Sequence, residues 1–238
     1  MKKRNIVTLA VYFNLLMCIQ GMADTRYTVR PGDDVQNIID NCNDGETNKV
    51  TIYMKPGKYD RFSAKSTIDS TPRFISFIGE GDVTVESNLG YYKAPAAELR
   101  LNGIVENITF KATHPKGVIN TTDYGAYAVH ADYGSMNTLF RNCIFISNQT
   151  AAVGMGLTHD SKVHFENCRF ENKSDGSFGS CWKLGAVYAH TAVADVNLVG
   201  AKLDINSCEF EYPEEAYDDI VLQNLNGSTI DFNMDVNI

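Results

Sequence analysis

A six-residue pattern recurs four times along the chain, and every copy alternates apolar and polar residues. The copies are Val105–Phe110, Phe140–Phe145, Phe165–Phe170 and Ile205–Phe210. In each, a small polar residue precedes Cys or Ile, and Phe follows two positions after that Cys or Ile. Alternation with a period of two residues is typical of a half-buried β-strand. The pattern therefore predicts a series of similar strands.

A second group of segments accompanies the first and is rich in small residues. Its members are residues 125–130, 151–156 and 185–190. Each repeat unit thus carries at least two strands and no convincing helix, and one unit alone cannot bury its apolar face. Stacking of similar units would bury a continuous core and align like residues in columns. The sequence predicts an all-β chain that forms a parallel β-solenoid.

Three cysteines, Cys143, Cys168 and Cys208, occupy one position of the first repeat. An odd number of cysteines remains once the N-terminal leader described below is removed, so a disulfide framework is not indicated. We expect a column of small buried side chains at this position. Disulfides within the column are the alternative, because stacked strands lie about 4.8 Å apart.

Two strands are predicted ahead of the repeats, together with an N-terminal cap. Residues 24–48 are expected to form the cap, including a short amphipathic helix with Asp33 or Asp34 as its N-cap, and residues 49–238 the stacked coils. The strands are Val50–Met54, stopped by Lys55-Pro56-Gly57, and Phe74–Ile78, followed by a turn at Gly79-Glu80-Gly81.

Residues 1–23 are predicted to be a cleaved signal peptide. Residues 2–4 are basic, residues 6–19 are mostly apolar, and residues 21–23 form a small-x-small cleavage site. The apolar run is short for a membrane span. The predicted mature protein begins at Asp24 and is secreted or periplasmic.

A lipoprotein cleaved before Cys18 is the alternative to this leader. Met17, which would precede the cut, is a poor match to the small residue usual at that position. No second apolar segment suggests a membrane span, so a soluble protein is expected, and a monomer is the expected state.

The charge balance restricts the class of partner. The chain has a formal net charge of −8, and the predicted leader removes three basic residues and no acidic ones. An acidic protein of this kind is disfavoured as a partner of nucleic acid or of an anionic membrane. It would also repel fully ionised polygalacturonate, whereas methyl-esterified pectin is close to neutral.

The order of these features resembles the pectin methylesterase family. The resemblance covers roughly residues 27–175 and rests on Ile52–Tyr59, Phe77–Gly81 and Val105–Phe110, which are similar to successive strands and turns of that family. It implies a single-stranded right-handed parallel β-helix of the pectin-lyase-like type. It also implies pectin or a related polyuronate as the polysaccharide partner.

The family's active-site motifs are matched in part. Tyr127 stands where the family has a substrate-site Gln, and Gln149, six residues after Cys143, matches the Gln that stabilises the oxyanion. Thr150 replaces the family's general acid, and Asp175, seven residues after Cys168, matches its nucleophile. The family's final Leu-Gly-Arg-Pro-Trp element has no counterpart in the chain.

The chemistry of ester hydrolysis explains why these differences matter. A carboxylate nucleophile needs donors aimed at the oxyanion and an acid that protonates the leaving methoxide. Asp175 could be the nucleophile and Gln149 the donor to the oxyanion, but Thr150 cannot transfer protons near neutral pH. Asp175 and Gln149 also lie in sequences that suit ordinary turns, so the sequence leaves open whether the protein is an enzyme.

Three functions therefore remain: a pectinesterase-like hydrolase, a non-catalytic glycan-binding or adhesive solenoid, and, less favoured, a calcium-dependent polysaccharide lyase. Tyr127, His130 and Trp182 are candidates for contacts with sugar, since aromatic faces pack on apolar ring surfaces. His130 and His190 fall at equivalent positions of the second repeat and are expected to form a surface ladder. No motif indicates a metal site or a cofactor.

Overall fold

The computed structural model describes residues 23–65, 71–87, 95–113, 127–132, 136–175, 185–191, 200–216, 218–223 and 235–238. Within these ranges the chain is mostly β, with parallel sheets and one short helix. No helix among them is long and apolar enough to cross a bilayer.

The helix, α1 (Val35–Asn41), lies where the sequence predicts it. Asp34 is its N-cap, because the Asp34 carboxylate accepts a hydrogen bond from the Asn37 N–H at 2.9 Å. The helix follows a strand, β1 (Ala23–Val29), that the sequence did not predict within the cap. Polar residues alternate with less polar ones along β1, as is usual for a strand. The strand pairs in parallel along its whole length with β2 (Asn48–Met54).

The larger sheet has twelve strands, and every pairing between them is parallel. Its first arm contains β1, β2, β5 (Ile75–Ser87), β7 (Asn102–Ala112), β9 (Asn137–Arg141), β12 (Lys162–Glu166), β15 (Lys202–Asn206) and β18 (Asp235–Asn237). Its second arm contains β3 (Gly57–Asp60), β10 (Ile144–Ser147), β13 (Arg169–Asn172) and β16 (Glu209–Glu211), which continue from the later halves of β5 and β7.

The smaller sheet has six strands, again all parallel. In spatial order they are β17 (Ile220–Gln223), β14 (Val187–Thr191), β11 (Val153–Leu157), β8 (Val129–Asp132), β6 (Ala97–Leu99) and β4 (Phe62–Ala64). The Gln36 side chain of α1 donates to Ser63 O at 3.0 Å and accepts from Ser63 N at 2.7 Å. The helix thus supplies a hydrogen-bonding partner to the edge strand of this sheet.

The small polar residue of the first repeat marks the corner between the two arms. Asn107, Asn142, Asn167 and Ser207 have φ between +51° and +57°. Asn tolerates this left-handed conformation better than most residues. Asn142 also donates its side-chain N–H to Asn107 Oδ1 at 3.1 Å, so successive corners are tied together.

The sequence predicted that the strand ends at a turn over Gly79–Gly81, and this prediction is wrong. Strand β5 continues through these residues, and its register with β7 shifts between Ile78 and Val83. The glycines permit this bend: a Cβ on Gly79 would lie 2.1 Å from the carbonyl oxygen of Asn107, and Gly81 has φ +107°.

The predicted cysteine column is confirmed. Cys143 and Cys168 are buried, and the Cys168 N–H donates to the sulfur of the partly buried Cys208 at 3.4 Å. All the cysteines in the described ranges are free thiols, so the disulfide alternative is not formed. Hydrogen bonding with Cys143, together with burial, raises the pKa of Cys168 to about 12. A thiol of this kind stays protonated and unreactive.

The repeated phenylalanines form the core. Phe110, Phe145, Phe170 and Phe210 stack in one column, with ring centroids 5.2–5.8 Å apart. Phe140 and Phe165 stack at 4.9 Å in a second column. These columns explain the repeat, because strands in register place identical side chains next to each other.

Candidate functional site

Gln149 and Thr150 lie in the turn that leads from the larger sheet to the smaller one. Strand β10 ends at Ser147, whose hydroxyl accepts hydrogen bonds from the N–H groups of Gln149 and Thr150 at 3.2 and 3.3 Å. This local capping folds the two residues inward. Gln149 is 2% exposed and Thr150 is 1% exposed.

The Gln149 amide is unusual for a buried group. Among the described residues, neither its Oε1 nor its Nε2 has a hydrogen-bonding partner. Leaving a buried polar group unsatisfied costs roughly 1–3 kcal/mol. The Gln149 backbone N–H is held by Ser147. To stabilise an oxyanion, the Gln149 side-chain amide would have to contact substrate, and it is buried away from solvent.

Asp175 lies at the corresponding turn of the next repeat, and it is exposed. Ser147 and Asn172 are paired in register, and Asn172 plays the part of Ser147 by accepting from Ser174 N at 3.1 Å. Counted from these two residues, Asp175 is level with Thr150.

The two turns differ in length, however. Residues 148–152 separate Ser147 from Val153, whereas residues 173–186 separate Asn172 from Val187, the residue paired with Val153. Counted back from the smaller sheet, the position level with Thr150 is 184, which lies outside the described residues. The assignment of Asp175 as nucleophile therefore stays a prediction.

Tyr127 belongs to a buried group on the outward side of the smaller sheet, here called the tyrosine cluster: Tyr127, Ala151 and Tyr188. The rings of Tyr127 and Tyr188 stack with centroids 6.4 Å apart. The Tyr188 hydroxyl donates to Gln223 Oε1 at 2.6 Å. Since Tyr127 is fully buried, its ring packs against protein rather than facing solvent.

His130 and His190 are not equivalent, contrary to the prediction. His130 is paired with Gly154, which in turn is paired with Tyr188, while His190 is paired with Gly156. The two histidines are thus offset by two residues. Each lies against a tyrosine instead: His130 is 5.5 Å from Tyr127 and His190 is 5.2 Å from Tyr188, between ring centroids.

A polar row crosses the outer face of β4, β6 and β8, and it consists of Ser63, Glu98 and His130. These residues are paired in register, and all three are half-buried. Glu98 accepts hydrogen bonds from Ser63 at 3.3 Å and forms ion pairs with Lys65 at 2.9 Å and Arg61 at 3.9 Å. A carboxylate and an imidazole thus lie next to each other on one sheet face, and Lys65 and Arg61 pair with the carboxylate.

Glu98 is held in its charged form. Burial alone would raise its pKa, but the hydrogen bond and charge of Lys65, with smaller contributions from His130 and Arg61, outweigh burial and lower it. Glu98 was not among the site residues predicted from the sequence. Its one signal is an isolated acid within the short run Ala96-Ala97-Glu98-Leu99.

We expect Glu98→Gln to lower the free energy of unfolding, by an amount that depends on pH. A carboxylate whose folded pKa is lowered contributes stability above its unfolded pKa, near 4.3, and loses that contribution as pH falls through the folded pKa. The variant should be less stable than wild type by about 0.5–1 kcal/mol at pH 7, and the difference should be smaller at about pH 3, which is below the unfolded pKa. Urea unfolding at both pH values measures this, with Glu46→Gln as an exposed control. A gap of equal size at both pH values would contradict the assignment.

Trp182, the remaining predicted sugar contact, lies outside the described residues. Within the described ranges, no group of three His, Cys, Asp or Glu side chains is placed to hold a metal ion.

No protein-family model matches the chain, and no curated protein matches it.

Proposed function

We propose that the chain is an exported, single-stranded right-handed parallel β-helix that binds a polysaccharide of the pectin or polyuronate class. The fold proposal is supported by the parallel pairing of every described strand and by the three strands that a repeat contributes to the two arms and the smaller sheet. Right-handed connection is the strong rule for parallel strands joined by crossovers. Export is inferred from residues 1–23, most of which are not described.

The observation that carries the binding function is the polar row. Glu98, kept ionised by Lys65, lies beside His130 on the outer face of the smaller sheet, where both side chains are half-buried. Carboxylates and cations that project from a rigid sheet suit the dense hydroxyl and carboxylate pattern of a uronate polysaccharide. The resemblance to pectin methylesterases points to the same class of ligand.

Binding is favoured over catalysis because the esterase residues do not share an open surface. Gln149 and Thr150 are buried, whereas Asp175 is exposed at the start of a longer turn. Thr150 also lacks the titratable proton of a general acid. One observation keeps the esterase as a second candidate: Asp175 and Thr150 are level on adjacent repeats when counted from Ser147 and Asn172.

Binding of methyl-esterified pectin by wild type and by His130→Ala tests the proposal. We expect saturable binding that falls at least tenfold in the variant, because the His130 imidazole lies next to Glu98 in the polar row. The matched control is His159→Ala, which removes an exposed histidine outside the polar row, from the turn after β11, and it should bind like wild type. Equal binding by the two variants would remove the polar row from the site, and no binding to any glycan would overturn the function.

Methanol release from the same pectin separates binding from catalysis. We expect none from wild type. Release that disappears in Asp175→Ala would establish the esterase alternative instead.

A further inference from the structure

A groove of about 390 Å³ lies on the outer face of the first arm of the larger sheet, away from the polar row. Its lining residues are Lys49, Phe74, Asn102, Gly103, Ile104, Asn137 and Leu139. They come from the start of β2 and β5 and from β7 and β9, so the groove runs across the strands rather than along them.

The floor of the groove is apolar although it faces outward. Ile104 and Leu139 are paired in register on β7 and β9, and Ile104 is 36% exposed. On the same side, Asn102 and Asn137 form the next rung, and the Asn137 N–H donates to Asn102 Oδ1 at 2.8 Å. The groove therefore offers an aliphatic surface bordered by side-chain amides.

The charge of the groove is opposite to that of the whole protein. Its lining contains Lys49 and no carboxylate, in a chain with 29 acidic and 21 basic residues. Continuing along the asparagine rung, Asn137 is paired with Lys162 and Lys162 with Lys202, which extends the cationic edge. Lys49 and Lys162 are both exposed.

The carboxylates that flank this surface have charged or hydrogen-bonding partners. Asp24, which is paired in register with Lys49, is ion-paired with Arg26 at 3.1 Å. Asp44, beside Phe74, is ion-paired with Arg73 at 2.7 Å. Asp204 is ion-paired with Lys202 at 3.1 Å and hydrogen-bonded to His164 at 2.6 Å. Another cleft, next to α1, has more carboxylates than cations in its lining, which contains Asp33, Asp34, Asp60 and Glu86 together with Lys58 and Arg61.

We propose that this groove binds a carboxylated polysaccharide that lies across the strands, as a second contact surface besides the polar row. The apolar faces of the sugar rings pack on Ile104 and Leu139, Asn102 and Asn137 meet hydroxyls, and Lys49 and Lys162 pair with carboxylates. Four strand spacings separate the two lysines, or roughly 19 Å, which is enough for several sugar units. The proposal rests on the glycan-binding function above and specifies a charged form of the ligand.

The test compares two double variants that carry the same change in charge. Lys49→Glu with Lys162→Glu reverses the groove, and Lys58→Glu with Lys111→Glu reverses two lysines of the second arm. Calorimetric titration with a de-esterified galacturonate oligomer should show at least tenfold weaker binding for the groove variant. The control should change less than about threefold at 0.15 M salt, because distant exposed charges are screened. A fully methyl-esterified oligomer should distinguish the two variants much less.

Equal affinities of the two double variants for the charged oligomer would overturn the groove proposal. If His130→Ala loses pectin binding in that case, the proposed function still stands and only the second surface is excluded. If no glycan binds wild type, both proposals fall together. Replacing Lys49 and Lys162 by glutamine is the milder form of the test and should give an intermediate loss.

Discussion

Replacing Phe145 by alanine is expected to lower the free energy of unfolding by about 3–5 kcal/mol. Phe145 is fully buried and stacks between Phe110 and Phe170 at 5.8 and 5.2 Å. Its ring also makes edge contacts with Phe140 and Phe165 at 5.5 and 5.8 Å. Truncation would leave a cavity at the junction of both phenylalanine columns, and neighbouring strands held in register cannot close it.

Urea unfolding of Phe145→Ala measures this effect, and Ile144→Ala is the matched control. Ile144 precedes Phe145 on β10 but points outward and is 37% exposed. Its truncation should cost less than about 1 kcal/mol. If both variants lost the same stability, the stacked phenylalanines would not be the core of the fold.

The first repeat could be interpreted correctly from the sequence because its positions differ in kind. A Phe that recurs at one position of a repeat favours the interior, as at Phe145, and a small polar residue followed by Cys suits a tight corner, as at Asn142. Once the Phe is placed in the interior, the face of the sheet on which each neighbouring residue lies is determined. The parallel pairing and the cysteine column therefore follow from the spacing alone.

The second repeat was misaligned because its small residues carry little information about register. Alanine and glycine are tolerated on either face of a strand, so segments that end at His130 and His190 looked equivalent. In the structure the aligned residues are Val129, Val153 and Val187. Each of them follows an alanine, and this Ala-Val pair is the signal that would have given the correct register.

The candidate site was only partly predictable because it depends on burial and on loop length. The offset from Cys143 located Gln149 in a turn, but the sequence could not show that Ser147 folds its amide into the interior. Nor could the offset from Cys168 show how the longer turn after Asp175 continues. Glu98 was missed because its charged state depends on Lys65, which follows β4, whereas Glu98 lies on β6.

Replacing Gly154 by alanine is expected to destabilise the protein by about 3 kcal/mol, although adding a Cβ to a strand glycine ordinarily stabilises it slightly. A Cβ at Gly154 would lie 2.4 Å from Cε2 and 2.5 Å from Cζ of the Tyr127 ring, which is too close for unbonded atoms. Tyr127 is fully buried and stacks on Tyr188, so the ring cannot move aside without disturbing the tyrosine cluster. Overpacking of this kind typically costs 1–3 kcal/mol or more.

A double-mutant cycle isolates the contact between Gly154 and Tyr127. In a Tyr127→Ala background the same Gly154→Ala change should cost nothing, because the ring that blocks the new methyl group is gone, which gives a coupling energy of about 3 kcal/mol. Gly45→Ala is the control for the intrinsic effect of the substitution, since a Cβ there meets nothing within 4 Å. Additive losses in the cycle would show that Tyr127 does not lie over Gly154. The alignment of β8 with β11, and with it the position of His130 on the outer face, would then have to be revised.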